Sequence, residues 1–509
     1  MELSRRTVLG ALPLAALAAA CTKDVVPAGP PPEAARYAAD WPLPGYDFAN
    51  TRAVSSSALD LGSVDRLAVA WSTPLPGASA FSNVGTTPLV LGDTVLVQDL
   101  NSNVRSLDRR TGKVLWSRSF DTVQIGPNGV AAGWGKVFAG TGGTRVSAMD
   151  LTTGKQVWSR TLPRTGSVTV GVQAQVADGL VLVSTVPVDP EKGGYLGGSR
   201  GVVYALDPSD GRTVWSFDTV KGDLWGNPVV NAGGGVWFPP AIDPGRGVGY
   251  WGTGNPAPFP GDEGYPNGSS RPGPNLYTDC VLAIRLRDGK LLWHFQATPH
   301  DLFDHDLMLT MLARGTDGRQ VVVATGKAGR VIGLDPRTGT VRWDTKVGEH
   351  QNDELTTLTG PTEVLPGGLG GVNSPPATAH GNVYVAVVNL PTTYSPAVPE
   401  LSPPELGQRP GAVVAVDAAS GDVVWTTTLP GDPLGGVLVV NDLLFTSTMD
   451  GTLYALDRHD GKVVWTYRAP DGSNTWPSFA RGAIYWPVGA GPNPALLAFA
   501  LDGKVPAAG

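Results

Sequence analysis

The sequence predicts an all-β protein, a propeller of eight four-stranded blades whose ring is closed by both ends of the chain. Three observations predict it. A unit of the form Ala-x-Asp-x-x-x-Gly-x-x-x-Trp recurs with variations, at Leu107–Trp116, Asp150–Trp158, Asp207–Trp215, Arg285–Trp293, Asp335–Trp343, Asp417–Trp425 and Asp457–Trp465. Each copy reads as strand, tight turn, strand: alternating apolar residues lead in (Val202-Val203-Tyr204-Ala205-Leu206), Asp and Gly build the turn, and an apolar strand ends on Trp. Finally, 67 Gly, 45 Pro and a charged fraction of only 16% disfavour long helices and suit many short strands joined by turns.

The spacing sets the blade count. Successive Trp residues lie 42 residues apart at first (Trp116 to Trp158), 82 at most (Trp343 to Trp425) and 40 for the last pair. A four-stranded blade needs about 40–50 residues, so the longer intervals hold loop insertions. Seven units are complete and the eighth is split: Ala498–Lys504 supplies strand and turn without Trp, and Leu67–Trp71 supplies a Trp strand with no turn before it. A blade built from both termini leaves no open edge strands. The repeat Trp residues are read as blade-to-blade packing.

The first residues read as an address. Arg5-Arg6 resembles a twin-arginine export signal, and the apolar stretch Thr7–Ala20 is shorter than the ~20 residues that span a bilayer. It ends in Ala18-Ala19-Ala20-Cys21, which resembles a lipobox with Cys21 as the lipidated mature N-terminus. The chain thus divides into a signal peptide (1–20), a Pro/Ala-rich tether expected to be extended (21–40) and the propeller (41–509). The expected location is the cell envelope: anchored to the outer face of the cytoplasmic membrane, or in the periplasm or outer membrane. Cys21 and Cys280 are the only cysteines, so a lipidated Cys21 leaves no intrachain disulfide. A net charge of -7 argues against nucleic acid as a partner.

Residues that break the repeat are where chemistry is to be sought. Three segments stand out: Gly233–Trp237 running on to Tyr250–Phe259, Gln296–Asp306, and Gly326–Arg330. The second puts three carboxylates and two imidazoles into the seven residues His300–Asp306. Such a run is either an oxygen-rich metal or acid/base site at a face of the ring, or a solvated turn whose Asp side chains cap backbone amides.

In order and spacing these segments, with the opening run Trp41-x-x-x-Gly45-x-Asp47-x-x-Asn50-Thr51-Arg52, resemble the pyrroloquinoline-quinone (PQQ) dependent alcohol and methanol dehydrogenases. The resemblance implies a role for each matching position. Trp237 matches the indole floor beneath the planar quinone, Lys327 the cation that hydrogen-bonds the quinone oxygens, and Asn373 a residue near the cofactor. Asn255 matches an oxygen ligand of the active-site metal. Asp304 matches the general base that also touches the metal, and Asp306 the extra carboxylate of lanthanide-using members. PQQ with Ca²⁺ or a lanthanide is therefore the implied cofactor set, with the lanthanide favoured because two carboxylates and an anionic cofactor prefer the higher charge.

The chain also departs from that pattern. Thr122–Gly129 has neither the family's adjacent cysteines nor the Arg that follows them, Ser374 stands for a Trp, and Gly85 aligns with a glutamate. The family's metal-binding Glu lies four residues before an Arg-Gly pair, where this chain has Leu196; Asp189 or Glu191 in the same loop are the alternatives. Two functions follow. One is a dehydrogenase that oxidises a small alcohol-type substrate and passes electrons to a separate carrier. The other is a non-catalytic propeller lipoprotein that scaffolds or binds at the envelope.

Overall fold

The computed structural model describes residues 29–76, 85–188, 194–397, 399–400 and 406–507. The segment expected to be an export signal, Cys21, Asp189 and Glu191 lie outside these. Eight antiparallel sheets carry the fold, seven of them with four strands in chain order from the axis outward and the eighth with Leu67–Pro74 outside three strands from the C-terminal end; one of the seven gains a fifth short strand, Ala53–Val54. Innermost strands such as Leu89–Leu91 and Gln175–Ala177 are wholly buried, whereas Trp-bearing outer strands such as Val114–Arg118 are largely exposed. In the last sheet, Ala495–Leu501 pairs with Ala483–Val488 on one side and with Leu67–Pro74 on the other.

The apolar clusters lie between blades rather than within them. Along Leu180–Ser184, Val181 and Val183 join a cluster shared with the preceding blade, and Leu180 and Leu182 one shared with the next. A strand's period of two sends alternate side chains to opposite neighbours, so every blade is glued on both faces. The repeat Trp residues add a directed contact. Trp71, Trp116, Trp158, Trp293, Trp343 and Trp425 each donate Nε1–H to a turn carbonyl of the following blade at 3.0–3.2 Å. Trp215 does the same at 2.5 Å, to Leu286. The turn Gly has positive φ and lies under the indole: a Cβ on Gly339 would sit 2.5 Å from Trp293, and one on Gly154 2.4 Å from Trp116. Trp465 instead packs edge-on to Phe499, at 5.8 Å.

Two further features position the site. Residues 41–54 run as a strap across the ring, with the carbonyls of Phe48, Ala49, Thr51 and Arg52 accepting from Ile242, Leu312, Thr378 and Val439 of four different blades. Arg52 is fully buried in this strap; its guanidinium donates to the carbonyls of Val437 (2.8 Å) and Pro477 (2.7 Å) and lies 5.4 Å from the Trp41 ring centroid. The axis keeps a cavity of about 30 Å³, lined by Arg52, Thr87, Gln173, Phe238, Thr310 and Trp476 among others. That space suits water, not an organic ligand, so a ligand site belongs at the face. There the insertions form their own small core, with Ala232, Ala257, Phe259, Leu302, Phe303, Leu358, Val364 and Tyr394 buried together and Tyr195 packed against them.

The stretch expected to be an extended tether differs from 29 onward. Pro32–Arg36 is a short helix, and the buried Glu33 accepts from the amides of Trp134 and Gly135 (2.8 and 2.7 Å). Asp40 is 1% exposed and pairs with Arg481 at 2.6 Å. Composition suggested an extended chain because Pro and Ala carry few side-chain contacts, but two carboxylates dock this segment on the propeller. Among the described residues, no helix is long and apolar enough to cross a membrane.

Candidate active site

Two glycines bring the site together. The Gly326 backbone presses so closely on the loop at Asp306 that a Cβ there would lie 1.8 Å from the Asp306 carbonyl oxygen, and Lys327 N–H donates to that same oxygen at 3.0 Å. Any other residue at 326 would push the Lys327 turn off the aspartate loop. Gly254 does the same for Asn255, because a Cβ there would meet Asp306 Oδ1 at 2.6 Å and Trp237 Nε1 at 3.2 Å. Trp237, Asn255, Asp304, Asp306 and Lys327, spread over 91 positions (237 to 327), are thereby made neighbours.

The acidic run His300–Asp306 is not one solvated turn. Asp301, Asp304, His305 and Asp306 are all buried, and only His300 is partly exposed. Asp301 behaves as a turn residue, its two oxygens accepting from the amides of Phe303 and His305, both at 2.7 Å. Asp304 and Asp306 face Lys327, whose Nζ lies 2.7 Å from Asp304 Oδ2 and 2.8 Å from Asp306 Oδ2. Asp306 Oδ1 accepts from the Asn255 amide at 2.6 Å. Asp304 Oδ1 is buried without a partner, and Asp304 itself sits at φ 63°, a conformation that Asp tolerates better than most residues.

Burial works against the Lys327 ammonium, but the two carboxylates outweigh it and hold the group above an ordinary lysine. Burial raises the Asp304 carboxyl, Lys327 pulls it back down and Asp306 pushes it up again, leaving it well above the usual carboxylate range. A carboxylate whose pKa is raised in this way is, once ionised, a stronger base than a free aspartate.

Trp237 is half-buried, with Nε1 unpartnered. The loop Thr122–Gly129 reaches this indole, since a Cβ on Gly126 would lie 3.1 Å from Trp237 Cζ3. That loop is anchored by Gln124, whose Oε1 accepts from Thr169 (2.8 Å), and by Asn128, which donates to Asp99 O (2.7 Å). Asn373 spends its amide nitrogen on its own loop, at Leu369 O (2.9 Å) and Gly370 O (2.7 Å), leaving Oδ1 as the group it presents. Ser374 Oγ donates to Gly435 O at 3.0 Å.

Three residues escaped sequence reasoning. Tyr195 donates its hydroxyl to Asn255 Oδ1 at 2.9 Å and stacks edge-on to Phe259 at 5.8 Å. Its neighbour Leu196, at the position of the expected Glu, is 41% exposed. Asp279 is fully buried with both oxygens unpartnered, and burial, reinforced by Asp301 and Asp306, raises its pKa well above the usual range. Arg271 is likewise buried and clamps the insertion loops, donating to Pro258 O (3.1 and 3.0 Å), Asp301 O (2.6 Å) and Asn275 Oδ1 (2.6 Å). None of the three lies in a motif that marks it; the interruption of the repeat between Trp215 and Trp293 points to the region of Arg271 and Asp279, and the long loop before Arg200-Gly201 to that of Tyr195.

A quinone fits the parts of the site that bind planar, electron-poor rings: a half-exposed indole, and an ammonium beside it. A hard cation does not fit. Among the described residues, no group of three or more His, Cys, Asp and Glu side chains is arranged to hold a metal ion. The oxygens of Asn255, Asp304 and Asp306 are mostly committed to protein donors, whereas such ions take six to eight free ones.

Comparison with known proteins agrees with the geometry. A profile described as "Glucose/ethanol/alcohol dehydrogenase, beta-propeller domain" matches residues 166–347, which hold the site. One described as "Outer membrane protein assembly factor BamB" matches residues 64–186 and 405–505. The dehydrogenase subunit of alcohol dehydrogenase (quinone) from Gluconacetobacter polyoxogenes is 28% identical over 85% of this chain and 68% of its own length. Quinohemoprotein alcohol dehydrogenase from Comamonas testosteroni superposes with a TM-score of 0.79 at 24% identity, covering 94% of this chain and 83% of that one. A europium-containing methanol dehydrogenase does so at 0.76 and 23%, covering 91% and 98%. With its eight blades, its dehydrogenase-type central segment and matches along most of its length, the chain is similar to the PQQ-dependent quinoprotein alcohol dehydrogenases.

Proposed function

We propose that this chain is a PQQ-dependent dehydrogenase of small alcohol-type substrates that hands its electrons to a separate carrier. The observation that carries the reading is the buried Asp304–Lys327–Asp306 cluster beside the half-exposed Trp237. A packing scaffold has no use for two carboxylates and an ammonium taken out of water. Trp237 would hold the quinone ring by stacking, and Lys327 would hydrogen-bond its oxygens. When bound, PQQ supplies a two-electron acceptor for the hydride leaving the carbinol carbon. Asp304 Oδ1, the unpartnered oxygen, takes the hydroxyl proton, while Oδ2 stays on Lys327 and fixes the carboxylate plane. The product is the corresponding carbonyl compound. Asn373 Oδ1 is available to the rim of the cofactor.

The test is dye-coupled oxidation of a panel of primary and secondary alcohols by the protein incubated with PQQ. Turnover by the wild type, reduced at least ~10²-fold in Asp304→Asn, supports the reading. A folded wild type inert to every alcohol offered returns the chain to the second reading, an envelope scaffold. The match of its first and last blades in the sequence, residues 64–186 and 405–505, to the assembly-factor profile favours that alternative. The proposal also has the chain exported through its twin-arginine segment and anchored by a lipidated Cys21. Cys21→Ala should then move the protein from the membrane to the soluble fraction; a variant that still fractionates with membrane removes the anchor.

A further inference from the structure

We infer that this site takes its quinone without a metal ion, the ion's place being filled by two groups of the chain itself, the Lys327 ammonium and the Tyr195 hydroxyl. The inference rests on the quinone reading of the site and deepens it.

Few oxygens at this site are left for an ion. Asn255, Asp304 and Asp306 are the residues that the resemblance offers as ligands, and together they carry five side-chain oxygens. Asn255 Oδ1 accepts the Tyr195 hydroxyl at 2.9 Å. Asp306 Oδ1 accepts the Asn255 amide at 2.6 Å. Asp304 Oδ2 and Asp306 Oδ2 share Lys327 Nζ at 2.7 and 2.8 Å. Asp304 Oδ1 has no partner, and Asp306 Oδ2 is ion-paired to Lys327 without accepting a hydrogen bond; two such oxygens fall far short of the six to eight that a hard cation takes.

The arrangement is built into the backbone. Gly326 and Gly254 allow the close approaches that put Lys327 and Asn255 on Asp306, and a Cβ at either would collide at 1.8 or 2.6 Å. At the loop that would bring a third carboxylate, the chain has Leu196 exposed at the surface and Tyr195 turned inward. A phenol donates to Asn255 Oδ1 where a metal would draw on it, and the aromatic body fills the space against Phe259. An ammonium between two carboxylates supplies the positive charge beside the quinone oxygens, as a point charge with donors free to turn. A second cation bound to the same oxygens would face that ammonium at short range.

The test uses the full chain and reads binding, not turnover. PQQ is titrated by absorbance in EDTA, then with 1 mM Ca²⁺ or La³⁺ in place of the chelator, and each metal alone is titrated by calorimetry. The expected result is saturable PQQ binding whose Kd agrees within about twofold across all three conditions, with no saturable metal binding below millimolar concentration. PQQ binding that appears only with metal, or tightens more than about tenfold with it, overturns the inference and leaves the quinone reading standing. Micromolar metal binding in the absence of PQQ overturns it too, whether through the site residues or through Asp189 and Glu191. PQQ that binds under none of the conditions removes the quinone reading and this inference with it. Tyr195→Glu, which replaces the phenol by a carboxylate and frees Asn255 Oδ1, should acquire metal-dependent PQQ binding. The wild-type titrations decide alone should that variant not fold.

Discussion

Lys327 has three donors on one nitrogen, and it sits between two carboxylates while still reaching the cavity side of the site, with 14% of its side chain exposed. That combination makes it the structural pin of Asp304 and, in the proposed reading, the cation offered to the quinone. Replacing it with Met keeps the length but leaves two buried carboxylates to repel each other. The cost should be about 3–5 kcal/mol, visible as a lower thermal midpoint, and PQQ affinity should fall with it. Asp304→Asn, by contrast, keeps shape and burial; its melt should stay near the wild type while turnover is lost. The residue types were legible in the sequence because the resemblance rests on short motifs at fixed order: Asn255, Asp304, Asp306 and Lys327 do converge. What was not legible is which partner each one takes. Tyr195 comes from a loop whose length departs from the family pattern, and nothing in the run Gly194-Tyr195-Leu196 says which side chain turns inward. Asp279 directly precedes the apolar strand Cys280–Arg285, where an Asp reads as an ordinary turn residue.

At the scale of the blade, one bulge and one glycine explain the repeat. In all eight sheets the register between third and fourth strands shifts by one residue at or next to the Trp. The extra residue points outward, which is why Leu115, Val157, Leu292 and Val424 are 43–56% exposed without forming a core. The bulge aims the indole at the next blade, and the turn Gly leaves room beneath it. Two glycines of one blade separate these effects, since both have positive φ: Gly339 (72°) would place a Cβ 2.5 Å from Trp293, while Gly318 (78°) has nothing within 4 Å. Gly318→Ala should therefore cost only the backbone term, about 1 kcal/mol. Gly339→Ala should cost a further ~1–3 kcal/mol for displacing the indole. Thermal or denaturant melts of the two variants check this, and equal midpoints would mean that the Trp docking contributes little. This level was almost wholly readable, because Asp, Gly and Trp at fixed spacing each have a local physical reason. The tether was misread from Gly29 onward for the opposite reason: its docking depends on Glu33 and Asp40 meeting Trp134, Gly135 and Arg481, partners far away in the chain.

At the scale of the whole molecule, stability depends on contacts between the ends. Leu67–Pro74 has Ala495–Leu501 as its one strand partner, and the strap at 41–54 ties blades that are otherwise linked only around the ring. Ending the chain at Pro494 strips Leu67–Pro74 of its partner and uncovers Ala483–Val488. Loss of the cooperative transition, or aggregation through the bared edge, is the expected outcome. A truncated protein that melts as sharply and as high as the full chain would show that the ring does not need that strand. Arg52→Met, which removes the guanidinium from the strap but keeps an apolar stem beside Trp41, should lower the midpoint without changing the fold. The eight-fold count followed from the repeat, whereas the strap did not. Its opening motif was recognised as a pattern, yet its role is a set of backbone bonds to four blades, which no residue type announces.

The central claim is that a planar quinone rests on Trp237 in a protein whose fold is otherwise widely shared. Titration of PQQ into the full chain and into Trp237→Ala, followed by absorbance at a fixed protein concentration, tests it most directly. The wild type should saturate at one equivalent, and removal of the stacking floor should weaken binding by about 1–3 kcal/mol, roughly ten- to a hundredfold in Kd, with the melting curve little changed. No saturable binding by the wild type, or equal affinity in the two proteins, would contradict it.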